Sequence, residues 1–168
     1  MINRAIVSRP EVVLLCGVAG AGKTTYAKRL ETCGHVRLSI DEEIWSRFGR
    51  YGIDYPAGDY PRLGDAAQQG LRQRLLELID HGRDVVLDFS FWRRADRDRY
   101  KRLISGAGGR WRLVYLRADP PLLRRRLEER NRRFDANAAF PISDAVLDAY
   151  LAGFEAPVGE GEEVIDAT

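Results

Sequence analysis

The chain has 168 residues, of which 45% are apolar and 31% are charged, a balance typical of one soluble globular domain. No apolar run reaches the ~18 residues of a membrane-spanning helix, and the N-terminal sequence MINRAIVSRP lacks the apolar core of a signal peptide. Cys16 and Cys33 have no metal-binding or redox spacing, so we expect reduced thiols and a cytoplasmic protein that does not enter a membrane.

The net charge is only +2, but three of the 27 basic residues are lysines, which leaves 24 arginines. Arginine binds phosphate through two parallel hydrogen bonds and keeps its charge at all ordinary pH values. The composition therefore suits a protein that handles phosphate, although a general preference for arginine over lysine would give the same count.

Five short runs, most of them nearly continuously apolar, predict β-strands, and such runs are typical of strands buried on both faces of a parallel sheet. Helical spacing of apolar residues predicts a helix between successive strands, which together indicate an α/β sandwich. The predicted strands are Glu11–Cys16, Val36–Ile40, Asp84–Phe89, Trp111–Arg117 and Glu163–Asp166. Five helices are predicted. The first runs from Lys23 toward Glu31, the second passes through Leu71 to Ile79, and the third passes through Tyr100 to Ile104. The fourth begins at Asp119-Pro120 and the fifth begins near Ser143.

Two segments interrupt this alternation. Residues 46–64 are rich in glycine, proline and tyrosine, and residues 130–141 are first basic and then small and apolar. Insertions in such a sheet usually serve a site at the carboxyl ends of the strands. We expect one domain in which 46–64 lies on the substrate side and 130–141 forms a lid.

The first strand is followed by GVAGAGKTT, which satisfies the pattern G-x-x-x-x-G-K-[ST]. Glycines let the backbone turn successive N–H groups toward an anion, and the first turn of the next helix adds its positive dipole. The lysine reaches the terminal phosphates and the first threonine hydroxyl binds Mg²⁺. The predicted nucleotide-binding residues are Gly17, Ala19, Gly20, Ala21, Gly22, Lys23, Thr24 and Thr25.

The rest of the sequence narrows the class of nucleotide-binding protein. An Asn-Lys-x-Asp motif for guanine and an Asp-x-x-Gly switch, which GTPases need, are missing from the sequence. No glutamate follows Asp88 in the strand VVLDFS, as motor ATPases usually require. A small kinase with this phosphate-binding loop remains.

Six stretches together resemble the AAA-domain family of kinases, relatives of phage-type polynucleotide kinase, zeta toxins, gluconate kinase and chloramphenicol phosphotransferase. They are GVAGAGKTTYAKRL, VRLSIDEEIW, VVLDFSFWRRADRDRY, VYLRADPPLLRRRLEERN, FEAP and EVIDA, and they extend from about Val12 to Asp166. The resemblance implies a three-layer sandwich with a five-stranded parallel sheet in the order 2-3-1-4-5. It also implies that ATP is the nucleotide and that the segment FEAPVGEGEE lies near the adenine base.

The resemblance further implies that Asp41, just after the second strand, is the general base. Phosphoryl transfer to an alcohol needs a carboxylate that orients the hydroxyl and accepts its proton. The alternative is that Asp41 only caps the helix that begins there.

Asp88 ends the third strand, next to the first. It could hold Mg²⁺ together with Thr24, or it could position substrate. The alternative is that Asp88 is a buried carboxylate that pairs with an arginine or caps the next helix. Ser90 is the preferred cap of that helix.

The basic stretch LRRRLEERNRR contains the candidate lid arginines. Arg130 lies on the apolar stripe of its predicted helix, and we expect Arg130 or Arg133 to stabilise charge on the transferred phosphoryl group. Arg126 has a weaker claim. The alternative for all three is an ordinary basic helix end that pairs with neighbouring glutamates.

The phosphate acceptor should lie between Asp41, residues 46–64 and Asp88. Trp45 could stack on it and Arg47 could hold a phosphate, unless the aromatic residues simply pack together. Polynucleotide kinases of the phage type carry an arginine where this chain has Ile44. Trp92, Arg93 and Arg94 either border the same pocket or begin a solvated helix.

Three functions follow, in order of preference. The first is ATP- and Mg²⁺-dependent phosphorylation of a hydroxyl on a small molecule or nucleoside. The second is phosphorylation of a nucleic-acid 5′ end, and the third is a non-catalytic ATP-binding module.

Overall fold

The computed structural model describes residues 8–168, and every structural statement refers to that part of the chain. Most of the N-terminal stretch in which we expected no signal peptide, residues 1–7, lies outside it. Within the described part, each helix is too short or too polar to span a bilayer.

Strands and helices alternate as predicted. The strands are β1 (Glu11–Cys16), β2 (Val36–Ser39), β3 (Val85–Asp88), β4 (Arg110–Arg117) and β5 (Glu162–Asp166). The helices are α1 (Lys23–Thr32), α2 (Ile40–Phe48), α3 (Tyr60–Asp80), α4 (Arg94–Gly106), α5 (Pro120–Arg130) and α6 (Asp144–Gly153), with 3₁₀ turns at Ala57–Asp59 and Ala136–Ala138.

The five strands form one parallel sheet in the order β2-β3-β1-β4-β5, which confirms the predicted order. In this order β1 lies at the centre, between β3 and β4. The loop that follows β1 therefore opens next to the end of β3, and the ends of β2 and β4 flank it.

Helices cover both faces of the sheet, so the fold is a three-layer α/β sandwich. Side chains of α3 and α4, such as Leu75 and Ile104, pack on one face. Side chains of α1, α5 and α6, such as Ala27 and Leu123, pack on the other. Val13 and its neighbours in β1 are fully buried, which is why the central strand reads as a continuous apolar run.

Two predicted helix starts are confirmed by their caps. The Asp119 carboxylate accepts a hydrogen bond from the backbone N–H of Leu122 (2.9 Å), and Pro120 occupies the first turn of α5. Ser143 likewise accepts from the N–H of Val146 (3.2 Å) at the start of α6.

The structure differs from the sequence prediction around residues 46–64. α2 continues to Phe48 and α3 already begins at Tyr60, so the irregular connection is shorter than expected. Ile40, expected at the end of β2, is the first residue of α2. Proline is tolerated in the first turn of a helix, which lets α3 begin before Pro61.

Candidate active site

The loop between β1 and α1 has the geometry of a phosphate cradle. Gly22 adopts a left-handed backbone conformation (φ 101°) directly before α1, a conformation that favours glycine. A Cβ at Gly17 would lie 2.8 Å from the carbonyl oxygen of Leu116, so only glycine fits there. The loop can therefore turn its N–H groups toward one point in front of the N-terminus of α1.

Lys23 lies across this loop. Its Nζ donates hydrogen bonds to the carbonyl oxygens of Gly17 (2.8 Å) and Val18 (2.9 Å). Burial lowers the pKa of Lys23, and the carboxylates of Asp88 and Asp41 oppose that shift. The ammonium group is thus held at the cradle by its own loop, where phosphate oxygens could replace the two carbonyls.

A cavity of about 770 Å³ opens in front of the loop. This volume lies within the range of about 300–1,000 Å³ that is usual for ligand sites. Among the predicted nucleotide-binding residues Gly17 lies behind the cavity wall. Those that line the cavity are Ala19, Gly20, Ala21, Gly22, Lys23, Thr24 and Thr25.

Residues 165–168, at the end of β5 and directly after it, also line the cavity, as does Arg126. Arg126 donates from Nη1 to the carbonyl oxygens of Gly20 (3.2 Å) and Ala21 (3.3 Å), so it braces the loop. No residue of the segment FEAPVGEGEE, expected near the adenine base, is among the described residues that line this cavity. Its Glu160 instead forms a buried ion pair with Arg97 (2.8 Å), which turns the segment toward α4.

Thr24 and Asp88 meet as predicted for a shared Mg²⁺ site. The Thr24 hydroxyl donates to Asp88 Oδ2 (3.1 Å), and Arg37 donates to the same oxygen from Nη2 (2.7 Å) and Nε (3.0 Å). The predicted arginine partner of Asp88 is therefore real as well. Hydroxyl and carboxylate oxygens are the ligands Mg²⁺ prefers, and Mg²⁺ usually takes only one or two carboxylates beside substrate phosphates. The donor set fits that ion.

Asp41 lies in the first turn of α2, where its carboxylate opens onto the cavity. The cap of α2 is Ser39, which accepts from the N–H of Glu42 (3.3 Å), so the interpretation of Asp41 as the cap is wrong. The Tyr60 hydroxyl donates to Asp41 Oδ1 (2.6 Å). Burial raises the pKa of Asp41, the bond from Tyr60 opposes this, and water in the cavity screens part of the effect.

The two candidate lid arginines differ in position. Arg130 is half-buried and donates from Nε to the carbonyl of Asn137 (3.2 Å) and from Nη1 to that of Phe140 (2.9 Å). Arg133 is 55% exposed and pairs with Asp135. Both line the 770 Å³ cavity, but only Arg130 also reaches the smaller cavity beside it.

The smaller cavity has a volume of about 190 Å³ and lies between α2, α3, the lid and α6. It shares four residues with the larger cavity, so the two spaces meet at those side chains. The shared residues are Ala19, Asp41, Ser90 and Arg130. The remaining walls are small, aliphatic or aromatic, and they are Tyr60, Trp92, Ala136, Ala139, Phe140, Ile142 and Tyr150.

Comparison with known proteins agrees with this geometry. The family model described as an AAA domain matches residues 12–157, well over half of the chain. The chain belongs to this family.

Three solved structures resemble the AAA-domain chain over most of its length. A candidate kinase from Chloroflexus aurantiacus j-10-fl is 22% identical with a TM-score of 0.75, over 94% of this chain and 85% of that one. A gluconokinase from Sinorhizobium meliloti 1021 is 19% identical with a TM-score of 0.62, over 94% and 83%. The APS kinase of Mycobacterium tuberculosis, in complex with AMPPNP and APS, is 16% identical with a TM-score of 0.58, over 94% and 88%. Identities this low show the fold alone, a kinase-like P-loop NTPase fold.

Two predicted substrate residues of the AAA-domain chain lie away from both cavities. Trp45 packs edge-on against Phe134 of the lid, with ring centroids 5.3 Å apart. Arg47 is exposed and lies over the ring of Phe48, 3.8 Å from Glu43. Asp41 and Asp88, by contrast, both line the larger cavity. Helix α2 directs Asp41 toward the cavity, whereas Nη1 of Arg47 lies against α3, 3.5 Å from the carbonyl oxygen of Ala66.

The aromatic residues of the connection between α2 and α3 pack on one another and on the lid. Tyr51 lies 5.6 Å from Tyr60 and 4.9 Å from Phe140, measured between ring centroids. The interpretation as a packing cluster is thus correct for Tyr51, while Tyr60 also faces the smaller cavity. Trp92 borders that cavity, whereas Arg93 and Arg94 are exposed and pair with aspartates of α4.

The sequence did not single out Arg37, Glu42 or Asn137, which connect the lid to the sheet. Arg37 donates to Glu42 Oε1 (2.7 Å) and to Asn137 Oδ1 (3.2 Å), and Asn137 donates to Glu42 (3.0 Å). One signal was available, because Arg37 is a charged residue inside an apolar strand and needs a partner there. Ser90, expected to cap α4, does not do so, since Glu155 accepts from the N–H of Arg94 (2.9 Å) at that helix start.

Proposed function

We propose that this chain is an ATP-dependent phosphotransferase that moves the γ-phosphate of ATP to a hydroxyl group of a small molecule or nucleoside. The observation that carries this proposal is the junction of the two cavities, where Asp41 and Arg130 line both. A base and a cation are the two groups that transfer of a phosphoryl group to an alcohol requires at one point.

The larger cavity would hold the nucleotide. Backbone N–H groups of the glycine loop and Nζ of Lys23 would bind the β- and γ-phosphates. Thr24 and Asp88 would hold Mg²⁺, which neutralises charge on the β- and γ-oxygens when bound. Arg37 would keep Asp88 oriented through its two hydrogen bonds to Oδ2.

In the transfer step, the acceptor oxygen bonds to the γ-phosphorus as the bond from that phosphorus to the β–γ bridging oxygen breaks. The acceptor proton passes to the carboxylate of Asp41, and the electron pair of the broken bond stays on ADP. Arg130 stabilises charge on the transferred phosphoryl oxygens, and Arg133 assists from the open side once the lid, residues 130–141, has closed.

We propose that the chain works as a single domain in which residues 46–64 border the acceptor side. Transfer to a nucleic-acid 5′ end is less well supported. Ile44 is 1% exposed and packs against Leu63 and Ala67, so the position that would carry an arginine belongs to the core. Arg47 points elsewhere and cannot replace that arginine without a rearrangement of α2.

The first experiment replaces Asp41 by asparagine. Asp41→Asn should bind ATP with the affinity of the parent protein, because the phosphate cradle is intact. Its acceptor-dependent release of ADP should fall by ~10²- to 10⁴-fold, which is the usual contribution of a general base. Affinity is measured by calorimetric titration, and ADP release is measured over sugars, aminoglycosides, nucleosides and 5′-hydroxyl oligonucleotides.

Two further variants serve as controls for this experiment. Lys23→Ala should lose both affinity and transfer, whereas Asp80→Asn, at the exposed end of α3, should change neither. Full ADP release by Asp41→Asn would remove Asp41 as the base. ATP binding without ADP release for any acceptor would instead indicate a non-catalytic nucleotide-binding module.

A further inference from the structure

The smaller cavity differs in character from the larger one. The larger cavity is lined by many charged side chains, among them Lys23, Lys28, Arg29 and Arg126. The smaller one has eleven lining residues, and its only charged side chains are Asp41 and Arg130, which belong to the transfer site itself. This contrast bears on what the acceptor can be.

We infer that the acceptor is an uncharged alcohol with a single ring, and that the cavity discriminates against the carboxylate or phosphate form of the same compound. This inference rests on the proposed function and specifies its acceptor.

Arg130 is the one cationic side chain among the described residues that line the smaller cavity. Its Nε and Nη1 already donate to the carbonyls of Asn137 and Phe140, and the proposed transfer assigns its charge to the phosphoryl group, since Arg130 lines both cavities. An anionic acceptor would therefore lie beside the carboxylate of Asp41 without a cation of its own. Like charges placed together in a partly dehydrated site are strongly unfavourable.

The volume of the smaller cavity limits the size of the acceptor. About 190 Å³ is close to the ~150 Å³ of an apolar cavity that holds one benzene-sized ring. A six-membered ring with its hydroxyl groups fills such a space, and an oligonucleotide end or a multi-ring sugar does not.

The walls suit a ring with an apolar face. Trp92 and Tyr150 pack edge to face with centroids 4.7 Å apart, and Tyr60 and Phe140 do the same at 5.1 Å. Flat aromatic side chains on two sides hold a ring by its C–H faces.

One polar group of this wall lacks a partner. The indole Nε1–H of Trp92 is buried and makes no hydrogen bond within residues 8–168. A buried donor without a partner is costly, and native proteins usually explain it with a water or a ligand. This nitrogen has almost no accessible surface, so the acceptor would contact the indole through its ring, which assigns Trp92 to acceptor recognition as an aromatic wall.

The test compares compounds that share a ring and differ in one charged substituent, and glucuronate is the anionic form nearest in size to its uncharged partner. Glucose is compared with glucuronate and glucose 6-phosphate, and myo-inositol with its monophosphate. Binding is measured by calorimetry with AMPPNP present, and turnover by ADP release with ATP. We expect the uncharged member of at least one pair to bind and react with a kcat/KM at least ~10-fold above that of its charged partners.

Substitutions in the wall of the smaller cavity test the inference further. Ala136→Arg adds a cation to the half-exposed cavity wall and should shift the preference toward the anionic member by ~10-fold or more, whereas Ala136→Gln should not. Trp92→Phe should raise KM for the acceptor by ~10-fold and leave KM for ATP unchanged. Trp45→Phe, which alters a tryptophan outside the cavity, should change neither value.

The outcomes separate this inference from the proposed function. Binding of an uncharged compound without ADP release would overturn the phosphotransferase and leave the ligand class standing. Turnover that prefers the anionic member, or turnover that Trp92→Phe leaves unaltered, would overturn the acceptor class and leave the phosphotransferase standing. Failure of every uncharged compound to bind would also overturn the acceptor class.

Discussion

The carboxylate of Asp41 receives one short hydrogen bond, from the hydroxyl of Tyr60 at 2.6 Å. A donor to a carboxylate stabilises the ionised form, so this bond holds the pKa of Asp41 below the value that burial alone would give. Tyr60 therefore sets two properties of the proposed base, its direction and its ionisation at a given pH.

Tyr60→Phe removes that donor and keeps the ring in the aromatic cluster. Without the hydrogen bond the pKa of Asp41 rises further, so the base is protonated at a higher pH. The acid limb of the pH profile of kcat/KM should move to higher pH, and kcat at neutral pH should fall by ~10-fold because the carboxylate is less well oriented. A series of initial rates between pH 4 and 8 measures both effects.

Tyr55→Phe is the matched control, because Tyr55 packs in the same cluster, 6.3 Å from Tyr51, but does not contact Asp41. Its pH profile should overlay that of the parent protein. If the acid limb of Tyr60→Phe stays in place as well, Tyr60 has only a packing role.

Individual residues of the site were predictable where a local motif specifies them. Lys23 and Thr24 follow from the glycine loop, and Asp41 and Asp88 follow from their places at strand ends. Tyr60 was not predictable as a partner of Asp41, because that contact joins residues 19 positions apart and depends on where α3 begins.

At the scale of elements, the proposed lid, residues 130–141, is held by polar contacts in addition to the apolar packing of Ala138, Ala139 and Phe140. Asn137, in the 3₁₀ turn of the lid, contacts both Arg37 of β2 and Glu42 of α2. The same Arg37 binds Asp88, so the position of the lid is linked to the proposed metal site through one side chain.

Asn137→Ala should loosen this attachment without disturbing the core. Water then enters the transfer site more often, because the lid excludes water only when it is closed. We expect acceptor-dependent transfer to fall by ~10-fold, and the ratio of acceptor-independent ATP hydrolysis to transfer to rise. Parallel measurements of ADP release with and without acceptor give that ratio.

Arg132→Ala provides the control within the same lid, since its side chain is exposed and makes no polar contact with the described residues. It should leave the ratio unchanged. An unchanged ratio in Asn137→Ala would mean that the contacts of Asn137 with β2 and α2 do not hold the lid.

Whole elements were more predictable than their bounds. Most strands were found because they are short and apolar, although β5 is largely polar and exposed. The order of the strands followed from the family resemblance. Residues 46–64 were expected to be irregular because of their glycines and prolines, yet α3 runs through Gly64 and Gly70. Packing supplies the reason, because Leu63 and Ala67 in the first turns of α3 bury against Ile44 of α2, and that outweighs the weak helix propensity of glycine.

For the molecule as a whole, the proposed base carries a cost in stability. A carboxyl group whose pKa is raised by folding binds its proton more tightly in the folded state than in the unfolded state. Between pH 3.8, the ordinary pKa of an aspartate, and the raised pKa of Asp41, the free energy of unfolding therefore falls as pH rises. The loss persists at neutral pH. Function at Asp41 and stability of the domain are thus opposed.

Asp41→Asn removes this charge while its amide oxygen can still accept the hydrogen bond from Tyr60. We expect the variant to be more stable than the parent protein at pH 7 and equally stable below about pH 3.8, where both forms of residue 41 are uncharged. Urea unfolding of both proteins at pH 7, 5 and 3.5 measures the difference, with Asp80→Asn as a surface control. The same substitution that abolishes transfer would then strengthen the fold, as expected for a group held in place for chemistry. A stability difference that is absent at pH 7, or that is the same at all three pH values, would mean that folding does not strain the ionised form of Asp41.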